Sequence, residues 1–187
     1  QATLARFDVS GDGLLDKLEL LLAVRQWQNE EVELASKLFA EHDGDSDGLM
    51  TIHELVTLFE KLGYTVLPHV VEEGIRTVKA HTAGLMFEEV LHLLKRLRSQ
   101  ECFSDQERSE LTESFRRFDR RGQGSLRQFE LTRLLDWLGY QHASHRCAEL
   151  WVRVDVDKSG FIEQGEFLKL LRYLREEEAS AARQMLT

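Results

Sequence analysis

The stretch VDVDKSGFIEQGE, residues 154–166, places oxygen-bearing side chains at alternate positions and ends in a glutamate. The side chains of Asp155, Asp157 and Ser159 could meet at one point if the chain turned sharply, and a glycine follows them where such a turn is needed. Glu166 could then approach the same point from a following helix. Six to eight hard oxygen ligands are what calcium prefers in proteins. The stretch therefore predicts a calcium-binding loop between two helices.

Three further stretches superimpose on this one without gaps, so the pattern is an internal repeat. They are FDVSGDGLLDKLE (7–19), HDGDSDGLMTIHE (42–54) and FDRRGQGSLRQFE (118–130). Each has Asp at the first loop position, Gly at the sixth, an apolar residue at the eighth and Glu at the twelfth. This is the EF-hand loop pattern, and the chain resembles the EF-hand superfamily. A set of Asp- and Gly-rich surface turns is the other interpretation, and the matching spacing of the repeats argues against it.

Three of these loops have a full ligand set, and we predict one calcium ion in each. In such a loop, positions 1, 3 and 5 supply side-chain oxygens, position 7 a backbone carbonyl and position 12 a bidentate glutamate. Position 9, which often acts through a water, is Asp16, Thr51 or Glu163. The predicted ligands are Asp8, Ser10, Asp12, the Leu14 carbonyl and Glu19; Asp43, Asp45, Asp47, the Leu49 carbonyl and Glu54; and Asp155, Asp157, Ser159, the Phe161 carbonyl and Glu166.

The loop at 119–130 keeps Asp119 and Glu130 but has Arg121 and Gln123 at positions 3 and 5. Two carboxylates beside arginines leave little negative charge for a divalent ion. We therefore predict that this loop binds no calcium.

A fifth loop, KAHTAGLMFEE (79–89), follows only the closing half of the pattern. Gly84 stands at the turn, Leu85 at the apolar position and Glu89 at the end, while position 7 is deleted. The ligand side chains are replaced by Lys79, His81 and Ala83. We expect no calcium here and interpret the loop as a pairing partner for 43–54, with Lys79 partly filling the space of an ion.

Apolar residues recur at helical spacing on both sides of the loops, as helices that face a core require. With one proline and 12 glycines in 187 residues, this predicts an all-α fold of paired helix–loop–helix lobes joined by short two-stranded loop pairings. The positions predicted to face the core are Leu4, Phe7, Leu20, Val24, Leu38, Phe39, Leu55, Leu58, Phe59, Val71, Ile75, Val78, Phe87, Val90, Leu93, Leu94, Leu111, Phe115, Phe118, Leu131, Leu134, Leu135, Cys147, Leu150, Trp151, Val154, Phe167, Leu170 and Leu171.

Helix boundaries predict how the hands pair. Gly-Tyr at 63–64 and at 139–140 would end two outgoing helices, with Pro68 in a following first turn and Ser144 as an N-cap. Ser104 and Glu107 predict a capping box at the start of another helix. The predicted domains are 30–99, pairing loops 43–54 and 79–89, and 100–187, pairing loops 119–130 and 155–166 before a helical tail. Residues 1–29 are left as half of a pair.

From residue 1 to about 175 the chain resembles calmodulin and its relatives. The resemblance implies that the first hand is the second member of a pair whose partner precedes Gln1, and that 28–39 connects two pairs. An odd hand that dimerises, as in penta-EF-hand proteins, is the alternative, although there the odd hand is the last one. The helix-like tail at 176–187 either docks elsewhere or belongs to a longer array.

Composition narrows the function classes. The net charge of −9, from 24 basic and 33 acidic residues, disfavours nucleic acid and favours a cation or a basic peptide. No run reaches the roughly 18 apolar residues of a membrane span. Cys102 and Cys147 form no disulfide framework, which predicts a cytoplasmic location, with cytoskeletal or ciliary association left open. His142, His145 and Cys147 could suggest zinc, but the cysteine lies on a helical stripe, and no catalytic motif indicates an enzyme.

The sequence therefore predicts a calcium-binding regulatory or structural protein that binds about three calcium ions. Calmodulin-like sensors present flexible, Met-rich surfaces, whereas the outgoing helices here carry Leu and Phe. We therefore expect one dedicated partner, held as an amphipathic helix in an acidic-rimmed groove. Two alternatives remain: the calcium-regulatory segment of a larger enzyme such as a calcium-dependent kinase, and an architectural subunit of a cytoskeletal or ciliary assembly.

Overall fold

The computed structural model describes residues 6–78, 84–140 and 143–185, and for 143–148 the backbone alone. In this part of the chain the predicted all-α fold is confirmed: eight helices accompany one two-stranded sheet. The helices are α1 (Lys17–His42), α2 (Ile52–Lys61), α3 (Pro68–Val78), α4 (Phe87–Ser99), α5 (Asp105–Phe118), α6 (Gln128–Trp137), α7 (Ala143–Val154) and α8 (Gln164–Met185), and the strands are β1 (Ser125–Leu126) and β2 (Ile162–Glu163).

The helix starts follow from capping residues. The predicted capping box of α5 is present, with the Ser104 side chain accepting from the Glu107 N–H and the Glu107 side chain accepting from the Ser104 N–H. Pro68 begins α3, where its missing N–H costs nothing. The prediction that Ser144 is an N-cap is wrong. α7 already begins at Ala143, and an N-cap must precede the first helical residue.

Both Gly-Tyr pairs end their helices as predicted. Gly63 and Gly139 have φ angles of 88° and 94°, a conformation that costs glycine little. The Tyr64 N–H then donates to the Phe59 carbonyl at 2.8 Å, and the Tyr140 N–H donates to the Leu135 carbonyl at 2.9 Å. These bonds satisfy carbonyls that the helix end would leave unpaired.

Two helices extend through segments whose role the sequence left open. α1 has 26 residues and includes all of 28–39, so the predicted connection is helical throughout. α8 has 22 residues and carries the tail as far as Met185. A loop followed by a long uninterrupted helix therefore occurs twice.

The chain divides into two compact units. One contains the described residues of Gln1–Tyr64 and His81–His92, and the other those of Thr65–Ala80 and Leu93–Thr187. These limits differ from the expected boundaries after 29 and 99, which stay a prediction.

In the first unit, loops 43–54 and 79–89 pair through an antiparallel bridge between Met50 and Leu85. The N–H of each donates to the carbonyl of the other, at 2.9 and 3.0 Å, and both side chains are fully buried. Phe39 and Phe87 meet edge to face, with ring centroids 5.5 Å apart. Leu55, Leu58 and Phe59 are buried as predicted.

The first hand departs from its predicted packing. Leu20 and Val24, expected in the core, are 51% and 40% exposed. A helix buries its apolar stripe only against another element, and the described residues place none over this part of α1. The prediction is therefore wrong for these two positions, while Leu4 lies outside the described residues.

In the second unit, β1 and β2 pair antiparallel, with Ser125 opposite Glu163 and Leu126 opposite Ile162. Loop 119–130 thereby pairs with loop 155–166. Below the strands, Phe115 and Phe167 pack with ring centroids 5.4 Å apart. The outgoing-helix residues predicted to face the core are buried around them: Leu131, Leu134, Leu135, Phe167, Leu170 and Leu171.

Gly84 allows the first unit's loops to approach each other. A Cβ on this residue would lie 2.8 Å from the Met50 carbonyl oxygen and 3.0 Å from the Met50 carbonyl carbon. We expect Gly84→Ala to force the two paired loops apart and lower the free energy of unfolding of this unit by about 1–3 kcal/mol. Hydrogen exchange at the Met50 and Leu85 amides would show this as lost protection.

Gly165→Ala is the matched control, because a Cβ there meets nothing within 4 Å. Its expected effect is neutral or slightly stabilising, since alanine suits a helix better than glycine. Unchanged protection of both amides in Gly84→Ala would contradict the steric account.

Candidate metal centres

The first aspartate of four loops is held by the same backbone contact. The glycine at position 6 has a φ angle of 75–80°, and its N–H donates to the Oδ2 atom of that aspartate. The glycine therefore both turns the chain and orients the carboxylate. The pairs are Gly13 with Asp8 (2.9 Å), Gly48 with Asp43 (3.0 Å), Gly124 with Asp119 (2.7 Å) and Gly160 with Asp155 (3.1 Å).

The final glutamate shows a contact common to all five loops. One carboxylate oxygen accepts the N–H of the residue three positions earlier, which also caps the following helix in the capping-box manner. In the three loops with full ligand sets, the other oxygen accepts the N–H of position 2 at 2.9–3.3 Å. The shared pairs are Asp16 with Glu19, Thr51 with Glu54, Met86 with Glu89, Arg127 with Glu130 and Glu163 with Glu166, at 2.8–3.0 Å.

The capping role of position 12 was missed when the loops were interpreted as metal ligands alone. Its signature was nevertheless visible, since Asp16 and Thr51 each precede their glutamate by three residues. Glu89 makes the same contact with the N–H three positions earlier, which agrees with the assignment of Leu85 and Glu89 to the closing half of the fifth loop. The predictions for Lys79, His81 and Ala83 fall outside the described residues, as do those for His142 and for the side chains of His145 and Cys147.

Loop 43–54 brings three carboxylates together. Oxygens of Asp43, Asp45 and Asp47 lie within 4.8 Å of one another. The Asp43 Oδ1 atom is buried and has no hydrogen-bond partner, which is costly unless a cation satisfies it. Hydrogen bonds from the N–H and hydroxyl of Thr51 lower the pKa of Glu54. The donor set consists of oxygen atoms, so these residues fit calcium.

Loop 155–166 forms a second such group. Oxygens of Asp155, Asp157 and Glu166 lie within 4.8 Å of one another. Hydrogen bonds from Ser159, chiefly from its N–H, lower the pKa of Asp157 and favour its ionised form. The Ser159 hydroxyl donates to the Phe161 carbonyl at 3.1 Å, so both atoms lie close to each other. This set also fits calcium.

Loop 8–19 does not bring its carboxylates together in this way, although its predicted ligands are all described. Asp8 accepts the N–H groups of Gly11 and Gly13, and these bonds, that of Gly13 foremost, lower its pKa. Asp12 accepts from the Leu14 N–H at 2.8 Å. Glu19 accepts from Val9 and Ser10, both at 2.9 Å. Within the described residues, no strand pairs with this loop to bring its two ends together.

In loop 119–130, Glu130 is buried and Asp119 has a buried Oδ1 atom without a partner. The Arg121 side chain extends to the partner loop, where its Cζ atom lies 4.8 Å from the centroid of the Phe161 ring. Within the described residues, no third carboxylate joins Asp119 and Glu130. That this loop binds no calcium stays a prediction.

The second unit also has an apolar groove of about 260 Å³ between α5, α6 and α8. Trp137, 54% exposed, lies at its edge. At one end, Arg175 pairs with Glu107 at 2.8 Å and stacks on the Phe103 ring at 4.2 Å. The lining residues are Phe103, Glu107, Glu110, Leu111, Ser114, Trp137, Leu138, Tyr140, Leu171 and Arg175.

Comparisons with known proteins agree with the loop geometry, although no protein-family model matches the chain. The chain is 28% identical over 144 residues to calmodulin-like protein 9 of Arabidopsis thaliana, which covers 76% of this chain and 93% of that protein. It is 26% identical over 151 residues to troponin C of Tyrophagus putrescentiae, covering 80% and 98%. It is 42% identical over 71 residues to a probable calcium-binding protein of Oryza sativa subsp. japonica, covering 38% and 34%.

These homologues confirm the resemblance inferred from the loops. Over most of its length the chain is similar to calmodulin-like protein and troponin C, which are EF-hand calcium-binding proteins. None of the described helices has the length and apolar composition needed to cross a membrane.

Proposed function

We propose that this chain is a calcium-binding regulatory protein that binds three calcium ions and holds an amphipathic helix of a protein partner. The observation that carries the proposal is the convergence of three carboxylates in each of loops 43–54 and 155–166. Three negative charges within a few ångströms repel one another strongly. A divalent cation removes this cost, and the relative from Oryza sativa subsp. japonica is named a probable calcium-binding protein.

In both loops the chain orients its own oxygens. Position-6 glycines hold the first aspartates, Asp43 and Asp155, through the Oδ2 atom. The Asp43 Oδ1 atom has no partner, and the Asp155 Oδ1 atom accepts the Ser159 N–H at 2.9 Å. Glu54 and Glu166 are anchored at the first turn of a helix. Calcium, when bound, would supply the positive charge at which these oxygens meet.

Loop 8–19 would provide the third and weakest site. Its ligand residues match the pattern, but they do not bring three carboxylates within 4.8 Å of one another, as loops 43–54 and 155–166 do. An ion must first draw these carboxylates together, and among the described residues no strand pairs with this loop to hold them. We therefore expect this loop to fill after the other two.

Loops 43–54 and 155–166 each pair with a loop that lacks a full ligand set. Two ions therefore do not bind cooperatively within these pairs. Calcium would then stabilise each lobe gradually as its concentration rises, in contrast to a switch in which two ions act together. We include in this proposal a cytoplasmic location, which the sequence predicts from its two cysteines.

The groove of the second unit supports a helical partner with basic residues. Its floor is formed by apolar residues such as Leu111, Leu138 and Leu171. Glu107 and Glu110 line the groove, Glu113 and Arg117 lie beside Trp137 at its rim, and the whole chain carries a net charge of −9. An amphipathic helix with Leu on one face and Lys on the other matches this surface in shape and charge.

Calorimetric titration of the calcium-free chain tests the ion count. We expect three ions per chain, two binding more tightly than the third. A Lys- and Leu-containing amphipathic peptide added to the loaded chain should then bind and shift the fluorescence of Trp137, whereas the same peptide with a scrambled order should not. The same titration with the Trp137→Ala variant shows whether the fluorescence change comes from this tryptophan.

One ion or none would overturn the ligand assignment. Two ions would remove loop 8–19 from the proposal and leave the other sites intact. Equal affinity for the ordered and scrambled peptides would overturn the helix-binding part.

A further inference from the structure

Arg121 occupies position 3 of a loop that lacks a full ligand set, but its guanidinium contacts the partner loop. The Cζ atom lies 4.8 Å from the centroid of the Phe161 ring. Its Nε and Nη2 atoms are buried without a hydrogen-bond partner. Among the described residues, this cation therefore contacts the face of the Phe161 ring. A cation–π contact strengthens when the cation is removed from water.

Phe161 has a specific place in the loop that it belongs to. It occupies position 7 of loop 155–166, whose backbone carbonyl is a proposed calcium ligand. The carbonyl accepts the Ser159 hydroxyl at 3.1 Å, and the next residue, Ile162, begins β2. A side chain that fixes the Phe161 ring therefore also restrains the backbone between the predicted ligand Ser159 and the strand β2.

We propose that Arg121 is a positioning residue for the calcium site at 155–166. By stacking on Phe161 it holds the position-7 carbonyl in place, so a loop without a calcium ion still supports calcium binding by its partner. The inference rests on the proposed function of loop 155–166 and adds the means by which the loop at 119–130 contributes to it.

The charge of Arg121 acts in the opposite direction, because a cation near the site repels calcium. The guanidinium is nevertheless directed to the ring, and in the described residues it forms no ion pair with Asp155, Asp157 or Glu166. The carboxylates of Asp155, Asp157 and Glu166 therefore remain available to a calcium ion. The positioning effect exceeds the repulsion, and removal of Arg121 weakens calcium binding.

A double-mutant cycle tests the contact. Arg121→Gln, Phe161→Leu and the double variant are titrated with calcium in the full chain. The Gly160 amide resonance follows the site, and the Gly48 amide follows loop 43–54 as an internal reference. Phe161→Leu keeps the backbone carbonyl and removes the ring. Arg120→Gln, which removes the same charge from an exposed neighbouring arginine, is the control.

We expect each single variant to weaken binding at Gly160 roughly three- to tenfold, with the double variant no weaker than either single. Arg120→Gln should change the affinity less than twofold, and Gly48 should respond equally in all variants. Unchanged or tighter binding in Arg121→Gln, or additive losses in the double variant, would overturn the inference.

The outcomes also separate this inference from the proposed function. A wild-type Gly160 resonance that does not respond to calcium would overturn both. A normal wild-type response with an unaffected Arg121→Gln variant would overturn the positioning role alone. Native circular dichroism identifies the variants that remain folded, and a normal Gly48 response shows that the first unit is unaffected.

Discussion

Replacing Glu166 by glutamine is expected to remove one calcium ion from the chain and weaken binding at loop 155–166 about a hundredfold or more. The glutamine keeps the shape of the side chain but loses its charge and one of the two oxygens that a bidentate ligand provides. Its single amide oxygen can accept only one of the N–H groups of Val156 and Glu163, which the two oxygens of Glu166 now accept at 3.2 and 3.0 Å. Calorimetric stoichiometry measures the loss directly.

The repeat supplies matched tests of this result. Glu54→Gln should also remove one ion and Glu19→Gln the weakest one, whereas Glu89→Gln and Glu130→Gln should remove none. All five glutamates accept the same backbone N–H at 2.8–3.0 Å, so the capping loss is common to every variant. An ion lost in Glu89→Gln or Glu130→Gln would show that our division of the loops is incorrect.

Phe167→Ala is expected to lower the free energy of unfolding of the second unit by about 3–5 kcal/mol. The ring is fully buried and lies 5.4 Å from the Phe115 ring, so its removal leaves a cavity in the core of this unit. Urea denaturation without calcium should show a lower midpoint with an unchanged slope.

Phe129→Ala is the control for this change, because Phe129 is 51% exposed and belongs to the same unit. It should shift the midpoint little, by an amount equivalent to roughly 1 kcal/mol or less. Equal destabilisation by the two variants would contradict the assignment of Phe167 to the core.

Local sequence patterns predicted the closing half of the fifth loop correctly. Leu85 was expected at the strand position and Glu89 at the end, and the structure pairs Leu85 with Met50 and bonds Glu89 to the Met86 N–H. These assignments succeed because strand and capping contacts join residues at fixed separations along the repeat. Gly63 and Gly139 were predicted for the same reason, since a helix end is decided by its own neighbours.

Predictions that depend on distant residues were less accurate. Leu20 and Val24 have the helical spacing of core residues, yet they are exposed because the described residues provide no helix to cover them. Loop 8–19 has the residue types of the ligand pattern, but its carboxylates do not approach one another as those of loops 43–54 and 155–166 do. Spacing indicates which residues could meet, and packing decides which do.

The sequence by itself determined the helix–loop–helix repeat, the identity of the candidate ligands and the loops that lack them, because each depends on residue type and spacing within about a dozen positions. Only the tertiary structure decided that the carboxylates converge in two loops and that Arg121 contacts Phe161 of the partner loop. The contact of Arg121 with Phe161 joins side chains that are distant in the chain, and it exists only because paired strands and a common core hold the two loops together. The carboxylates of each loop are near in the chain, but residue type alone does not say whether their loop turns tightly enough to bring them together.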